Sequence, residues 1–159
     1  MKNAPSEVSP LPDGAIAVMY KDFRVAALGC RNNKSGKAVK TTMLVLYAFW
    51  AHFLVDNFNR DMYHEFRDLA IQDLDDCLAE GATKLAAFYD AIIQSPRPMS
   101  QEMAHAYNDL GNRDLEKEQQ HILGGLRASW QHPVPYFPNQ LFLLSALDDR
   151  LKNQLLKER

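Results

Sequence analysis

The chain has 159 residues, 47% of them apolar and 24% charged, with a formal charge of −2 and a pI near 6.2. That is enough material for one hydrophobic core, and the near-neutral balance excludes a protein that coats nucleic acid or membrane by bulk charge. The longest apolar run, Met43 to Val55, contains His52 and is shorter than the roughly 20 residues a membrane helix needs, so no transmembrane segment is expected.

In chain order, residues 1–14 carry Pro5, Pro10, Pro12 and the Asp13-Gly14 pair without an apolar period. They read as a flexible arm, which leaves residues 15–157 as a single domain. Helical spacing runs from Ala15 to Leu28, with Gly29 as its stop, and Arg31 to Ser35 followed by Gly36 reads as a loop. Residues 21–40 hold six bases against Asp22 alone, and Arg31, Lys34, Lys37 and Lys40 make the loop a candidate for phosphate contact. Residues 56–80, by contrast, hold eight acids, so the molecule is polarised.

Thr41 or Thr42 caps a helix to Asp56 whose apolar arc is too wide for a surface helix. Asn59 caps the next, over about residues 60–79, and a third spans roughly 82–94. Pro96 and Pro98 stop that helix, and Ser100 opens another of about ten residues ending at Gly111. Residues 114–131 make the next, His132 to Pro138 is extended, and Asn139 caps a final helix bearing Leu144, Leu147, Leu151 and Leu155. No segment alternates with period two for long enough to be a strand. Cys30 and Cys77 have no metal or redox spacing and read as reduced thiols of a cytoplasmic protein, Cys77 as buried filler.

A ladder ties these helices together. Leu46, Ala48 and Trp50 recur as Leu85, Ala87 and Tyr89, then as Leu126, Ala128 and Trp130, at steps of 39 and 41 residues. A period of that length is the mark of stacked helical hairpins, in which neighbouring repeats complete one another's core. The fold class is therefore all-α: three stacked helix-turn-helix hairpin repeats of HEAT-like type plus a C-terminal helix. Trp50, Tyr89 and Trp130 read as core residues, because aromatic side chains at helical spacing usually bury themselves. One turn beyond the ladder, His52, Ala91 and His132 should line a shared surface.

The segment FWAHFLVDNFNRDMYHEF, residues 49–66, resembles the C-terminal helical-repeat region of La-related protein one, named for the DM-fifteen repeat. Tyr20, Phe23, Arg24, Leu28, Leu69, Ala70, Asp73, Gly81, Leu85, Phe88 and Tyr89 extend the likeness, which covers roughly residues 20–155. The resemblance implies three stacked helical hairpins and a terminal helix. It also implies binding of the 7-methylguanosine cap and first nucleotides of messenger RNAs with a 5′ pyrimidine tract, repressing their translation.

Residue by residue, that site is rewritten. The two tyrosines that sandwich the methylated base in the family align with Ala91 and His132, and the glutamate that reads the guanine edge aligns with Gln94. Family arginines for phosphate and the next nucleotide align with Ala48, Val55 and Ala87, and a phenylalanine aligns with His52. Each lost stacking contact is worth about 1–3 kcal/mol and each charge-assisted bond about 1.5–3 kcal/mol, so family-type cap binding is expected to be lost. Two extra residues separate the second and third ladders, which leaves Trp130 as an alternative to His132 on this surface.

Other constellations are weaker. Glu102 with His105, and Glu118 with His121, have the Glu-x-x-His spacing of carboxylate metal sites, but the further glutamates on long helices are missing, so no metal or cofactor is expected. His64-Glu65 and Asp75-Asp76 are sequence neighbours whose side chains diverge on a helix, and no nucleophile context or phosphate loop occurs. The chain is not expected to be an enzyme.

Two functions remain. The first is a diverged RNA-binding domain using His52, Gln94 and His132 on the repeat surface and Arg31, Lys34, Lys37 and Lys40 for phosphates. The second is a protein-interaction module docking a protein or peptide in the same groove, which Ala48, Val55 and Ala87 make more apolar. A positive face beside His52 and His132 favours RNA, whereas an apolar or acidic one favours a protein partner.

Overall fold

The structure is a computed structural model that describes residues 13–32, 36–116, 123–128, 130 and 138–156. Among these, eight helices and no strand occur: α1 (Asp13–Asn32), α2 (Gly36–Asp56), α3 (Arg60–Asp75), α4 (Glu80–Gln94), α5 (Gln101–Glu116), α6 (Leu123–Ala128), α7 (Pro138–Ala146) and α8 (Asp149–Leu156). The all-α expectation holds. The chain gathers into two compact units, Met1–Leu46 and Tyr47–Arg159, with α2 beginning in the first and ending in the second.

In the first unit Ala27, Met43 and Leu46 are buried, while Met19, Val25, Leu44 and Val45 are exposed. The basic segment differs from expectation here. α1 continues to Asn32 and α2 starts at Gly36, so Arg31 and the backbones of Lys37 and Lys40 belong to helices and not to a loop. Lysine and alanine favour the helix, so Gly36-Lys-Ala-Val-Lys extends α2 by a turn ahead of the expected threonine cap.

The second unit is built around one continuous aromatic layer. Tyr47 and Trp50 of α2 lie 5.9 and 5.6 Å, centroid to centroid, from Phe66 of α3, and Phe66 lies 6.2 Å from Phe88 of α4. Phe88 meets Tyr89, and Tyr89 meets Tyr107 of α5 edge to face at 5.4 Å. Trp130 closes the series by donating its indole N–H to the Tyr107 hydroxyl at 3.0 Å. The ladder residues Leu46, Trp50, Leu85, Tyr89, Leu126 and Trp130 are all buried, as their recurrence predicts. Burial raises the tyrosine hydroxyls above their ordinary range, so Tyr63, Tyr89 and Tyr107 act as neutral hydrogen-bonding groups.

α3 packs on α4, α4 on α6 and α7, and α5 on α6, α7 and α8. Two glycines mark the closest approaches. A Cβ on Gly81 would stand 2.8 Å from the ring of Tyr47, whose hydroxyl donates to the buried Asp73 at 2.5 Å. A Cβ on Gly111 would stand 2.6 Å from the end of Leu151. Gly111 therefore does not end its helix. α5 runs on to Glu116, because the missing side chain makes room for α8 instead of terminating a turn.

Several caps follow the sequence and others depart from it. Asn59 accepts the Met62 N–H at the start of α3, and Ser100 accepts that of Met103 at the start of α5, as expected. α3 stops at Asp75, four residues before its expected end, in a Schellman turn. Leu78 N–H returns to Asp73 O at 2.8 Å and Cys77 N–H to Leu74 O at 3.1 Å, with Cys77 at φ 63°. Cys77 is thus exposed in the left-handed position that glycine usually fills, not buried filler.

The C-terminal third differs most. Of the single helix expected over 114–131, residues 114–116 belong to α5 and residues 123–128 to α6, with 117–122 outside the described residues. The expected extended run 132–138 lies outside them too, except for Pro138, the first residue of α7. The expected terminal helix is two helices, α7 and α8. Asp148 caps the second by accepting Leu151 N–H at 2.8 Å, which, together with side-chain bonds from Asn112 and Asn108, holds its carboxyl below the usual range. Asn139 caps nothing. It is buried within the first turn of α7, where its amide donates towards the carbonyls of Arg97 (2.7 Å), Ile92 (2.8 Å) and Ser95 (3.2 Å) while its oxygen accepts Met99 N–H at 2.9 Å.

Candidate binding surface

Tyr47 near the start of this unit meets Gly81 at the beginning of α4, and Arg97 just past α4 bonds the carbonyl of Asp56 at the end of α2. The C-terminal half of α2 and α4 therefore run side by side in the same direction. With Leu46, Trp50, Leu85 and Tyr89 turned inward, positions three to four apart on the other side, Ala48 and Ala87 of the ladder among them, form two matching stripes. On α2 the stripe is Ala48, Ala51, His52 and Val55, and on α4 it is Ala87, Ala91 and Gln94; His52, Ala87 and Gln94 are exposed and the rest half-buried.

The expected site residues are thus brought only partly together. His52 and Gln94 stand open on this pair of stripes, and the Gln94 amide donates to Asp90 Oδ1 at 3.0 Å, so its side chain is already engaged by its own helix. His132 and Lys34 lie outside the described residues, as do the side chains of Lys37 and Lys40. Arg31 is half-buried in the last turn of α1. Trp130, the alternative to His132, is buried against Tyr107 and does not face this surface.

The chemistry of the described stripes is apolar and faintly acidic. Ala48, Ala51, Val55, Ala87 and Ala91 offer methyl groups, and Asp56 and Asp90 stand at the margins. Arg97 is tied to Asp56, through its carbonyl and with a carboxylate oxygen at 4.0 Å, and Lys84 is half-buried at the start of the α4 stripe.

A second feature lies between the first helices of successive hairpins, and the sequence did not single it out. His64 Nε2 of α3 lies 2.7 Å from Glu102 Oε1 of α5, Arg60 Nε lies 3.3 Å from Glu102 Oε2, and Arg113 of α5 bonds Asp75 at the far end of α3. Glu102 therefore pairs across helices and not with His105, its partner in the Glu-x-x-His pattern. Between these bridges Tyr63, His64, Arg67, Glu102, His105, Ala106 and Asp109 line a cavity of about 350 Å³. A signal existed: His64 and Glu102 are 38 residues apart, close to the repeat step, so repeat-equivalent positions on α3 and α5 were due to meet.

No group of three or more His, Cys, Asp and Glu suited to a metal occurs among the described residues, and none of their helices is long and apolar enough to cross a membrane. Glu118 and His121 lie outside the described residues. Against known families, the chain matches the family model described as the LARP1 HEAT repeat region over residues 5–157.

Proposed function

This chain belongs to the LARP1 HEAT repeat family, and on that premise we propose that it is a protein-interaction module whose α2/α4 surface docks an apolar peptide segment. One observation carries the reading. At the positions that align with the family's arginines the side chains are Ala48, Val55 and Ala87, and Arg97 at the margin of these stripes is tied to Asp56. Phosphate contacts need cations, whereas a shallow pair of methyl-lined stripes suits the apolar face of a partner helix, which small side chains allow to approach closely. Residues 15–157 then act as one repeat array that kept its fold and changed its ligand.

The direct test is selection from a displayed library of amphipathic helical peptides, followed by fluorescence anisotropy with the selected sequences. Ala87→Asp and Val55→Asp are expected to abolish peptide binding while leaving the unfolding temperature unchanged. Binding that survives both substitutions places the docking surface elsewhere.

RNA remains the second reading, favoured by the exposure of His52 in the column aligned with the family's ligand site, since an imidazole can stack on a base or bond phosphate. Its ligand is single-stranded RNA, or a 5′ end modified differently from the family's, held by His52, Gln94 and His132 with Arg31, Lys34, Lys37 and Lys40 on the phosphates. Anisotropy at about 0.15 M salt, where the Debye length is about 8 Å, separates the two. Capped and uncapped short RNAs are expected not to bind. RNA binding that is lost in the His52→Ala, His132→Ala double variant would instead establish the RNA reading.

A further inference from the structure

The α3/α5 groove is a built feature with a gap in it. The same separation, 38 residues, joins His64 to Glu102 and Asp75 to Arg113, so the two helices run parallel in constant register and Arg67 stands level with His105. At the outer levels a carboxylate joins the helices. Glu102 accepts from Arg60 and His64, and Asp75 accepts from Arg113. At the middle level both facing groups, Arg67 and His105, are bases, and no ion pair joins the two helices there among the described residues.

Among the described residues Arg67 has one ion pair, with Asp68, its neighbour on α3, at 3.9 Å, and His105 and Asp109 make no hydrogen bond or ion pair. All three line the cavity, which Tyr63 and Ala106, both buried, also help to form. Its volume of about 350 Å³ is at the small end of the range of small-ligand sites.

We propose that the middle of the α3/α5 groove is an oxyanion site, in which a phosphoryl or carboxylate group sits between the Arg67 guanidinium and the His105 imidazole. The bound group supplies the bridge that Glu102 and Asp75 supply at the other two levels. Arginine's planar fork suits a two-oxygen acceptor, and the imidazole adds a donor from the opposite wall. Asp109, one turn beyond His105, is an acceptor without a partner among the described residues, so the ligand carries an ammonium or hydroxyl donor next to its anionic group. The charge of Glu102 does not oppose the anion, because Arg60 and His64 already satisfy it. The site is independent of the α2/α4 surface, which involves none of these residues.

The test is NMR of the whole chain, following backbone amides and histidine ring signals during titration with inorganic phosphate, acetate and phosphoethanolamine. The His105 ring and the amides around Tyr63 and Ala106 are expected to shift saturably, with phosphoethanolamine tighter than phosphate. Arg67→Gln is expected to weaken binding about tenfold or more, as the loss of a charge-assisted bond implies, at unchanged unfolding temperature. Asp109→Asn should remove only the advantage of phosphoethanolamine. Saturation by acetate equal to that by phosphate keeps the site and assigns a carboxylate ligand, while a preference for phosphate assigns a phosphoryl group. Shifts that do not saturate at His105, or an affinity that Arg67→Gln leaves unchanged, would overturn the proposal.

Discussion

On α3 the surface residues Arg60, His64 and Arg67 face α5 across a groove crossed by ion pairs, whereas on α4 the surface residues Ala87, Ala91 and Gln94 are short and uncharged. The two helices are partners in one hairpin, and between them lies the same aromatic layer, Tyr63 and Phe66 against Phe88 and Tyr89. The contrast teaches that the layer carries the fold while the two sides are free to specialise. Exposed ion pairs are worth about 0–1 kcal/mol each, and methyl groups facing water contribute nothing to the core. Neither surface holds the hairpins together.

The largest effect should come from breaking what the two sides share. Trp50 is fully buried and touches both Tyr47 and Phe66. Trp50→Ala is expected to cost about 3–5 kcal/mol, read as a fall in the urea midpoint, and to remove ligand binding on both sides at once. Ala87→Asp, on the open side of the same layer, should stay within about 0.5 kcal/mol of the parent.

A smaller loss is expected at Asn139, which ties α7 to the turn between α4 and α5. Asn139→Ala leaves the Met99 N–H and the Arg97 and Ile92 carbonyls without that partner, at about 1–3 kcal/mol. Because Arg97 of that turn also bonds the end of α2, binding at the α2/α4 surface should weaken with stability, while the α3/α5 groove keeps its affinity. Chemical unfolding and the two binding assays read all three quantities on one variant. Equal weakening of both sites would show that the turn does not distinguish the surfaces.

A gain of stability is expected at Cys77. A non-glycine residue in the left-handed region costs on the order of 1–3 kcal/mol, and glycine returns part of this through its larger unfolded-state entropy, about 0.5–1 kcal/mol. Cys77→Gly should therefore raise stability by about 0.5–1 kcal/mol, seen as a higher thermal midpoint, with both surfaces unaltered.

What the sequence made legible was what recurs. Leu46, Trp50, Leu85, Tyr89, Leu126 and Trp130 repeat at a nearly constant step, so their common burial and the hairpin stack could be read in advance. Features that depend on one contact between distant residues could not. Asn139 looks like a cap because asparagine before a helical run usually is one, yet the preceding proline already starts α7 and the amide serves a turn more than 40 residues away. Gly111 looks like a stop and Cys77 like filler for the same reason: local propensity ranks residue types, while packing against Leu151 and closure of the α3 turn decide these positions. The candidate site was legible as a set of exposed positions on α2 and α4. Its charge balance was not, because Arg97 is committed to Asp56 only in three dimensions.

The smallest effect, and the one that sharpens the contrast most, concerns Glu102. Its carboxylate joins Arg60 and His64 but is itself 42% exposed, and the Arg60 side chain is 72% exposed. Solvent screening therefore limits what the bridge contributes, and Glu102→Gln is expected to cost about 0–1 kcal/mol. The amide keeps its shape and one acceptor oxygen, so the loss isolates charge from packing. In roughly 1 M salt, where the Debye length falls to about 3 Å, parent and variant should converge. If the bridges instead hold the first helices in register, the difference will persist in high salt and exceed about 1 kcal/mol. The α3/α5 side would then be part of the fold's foundation, and only the α2/α4 side would be free to change its ligand.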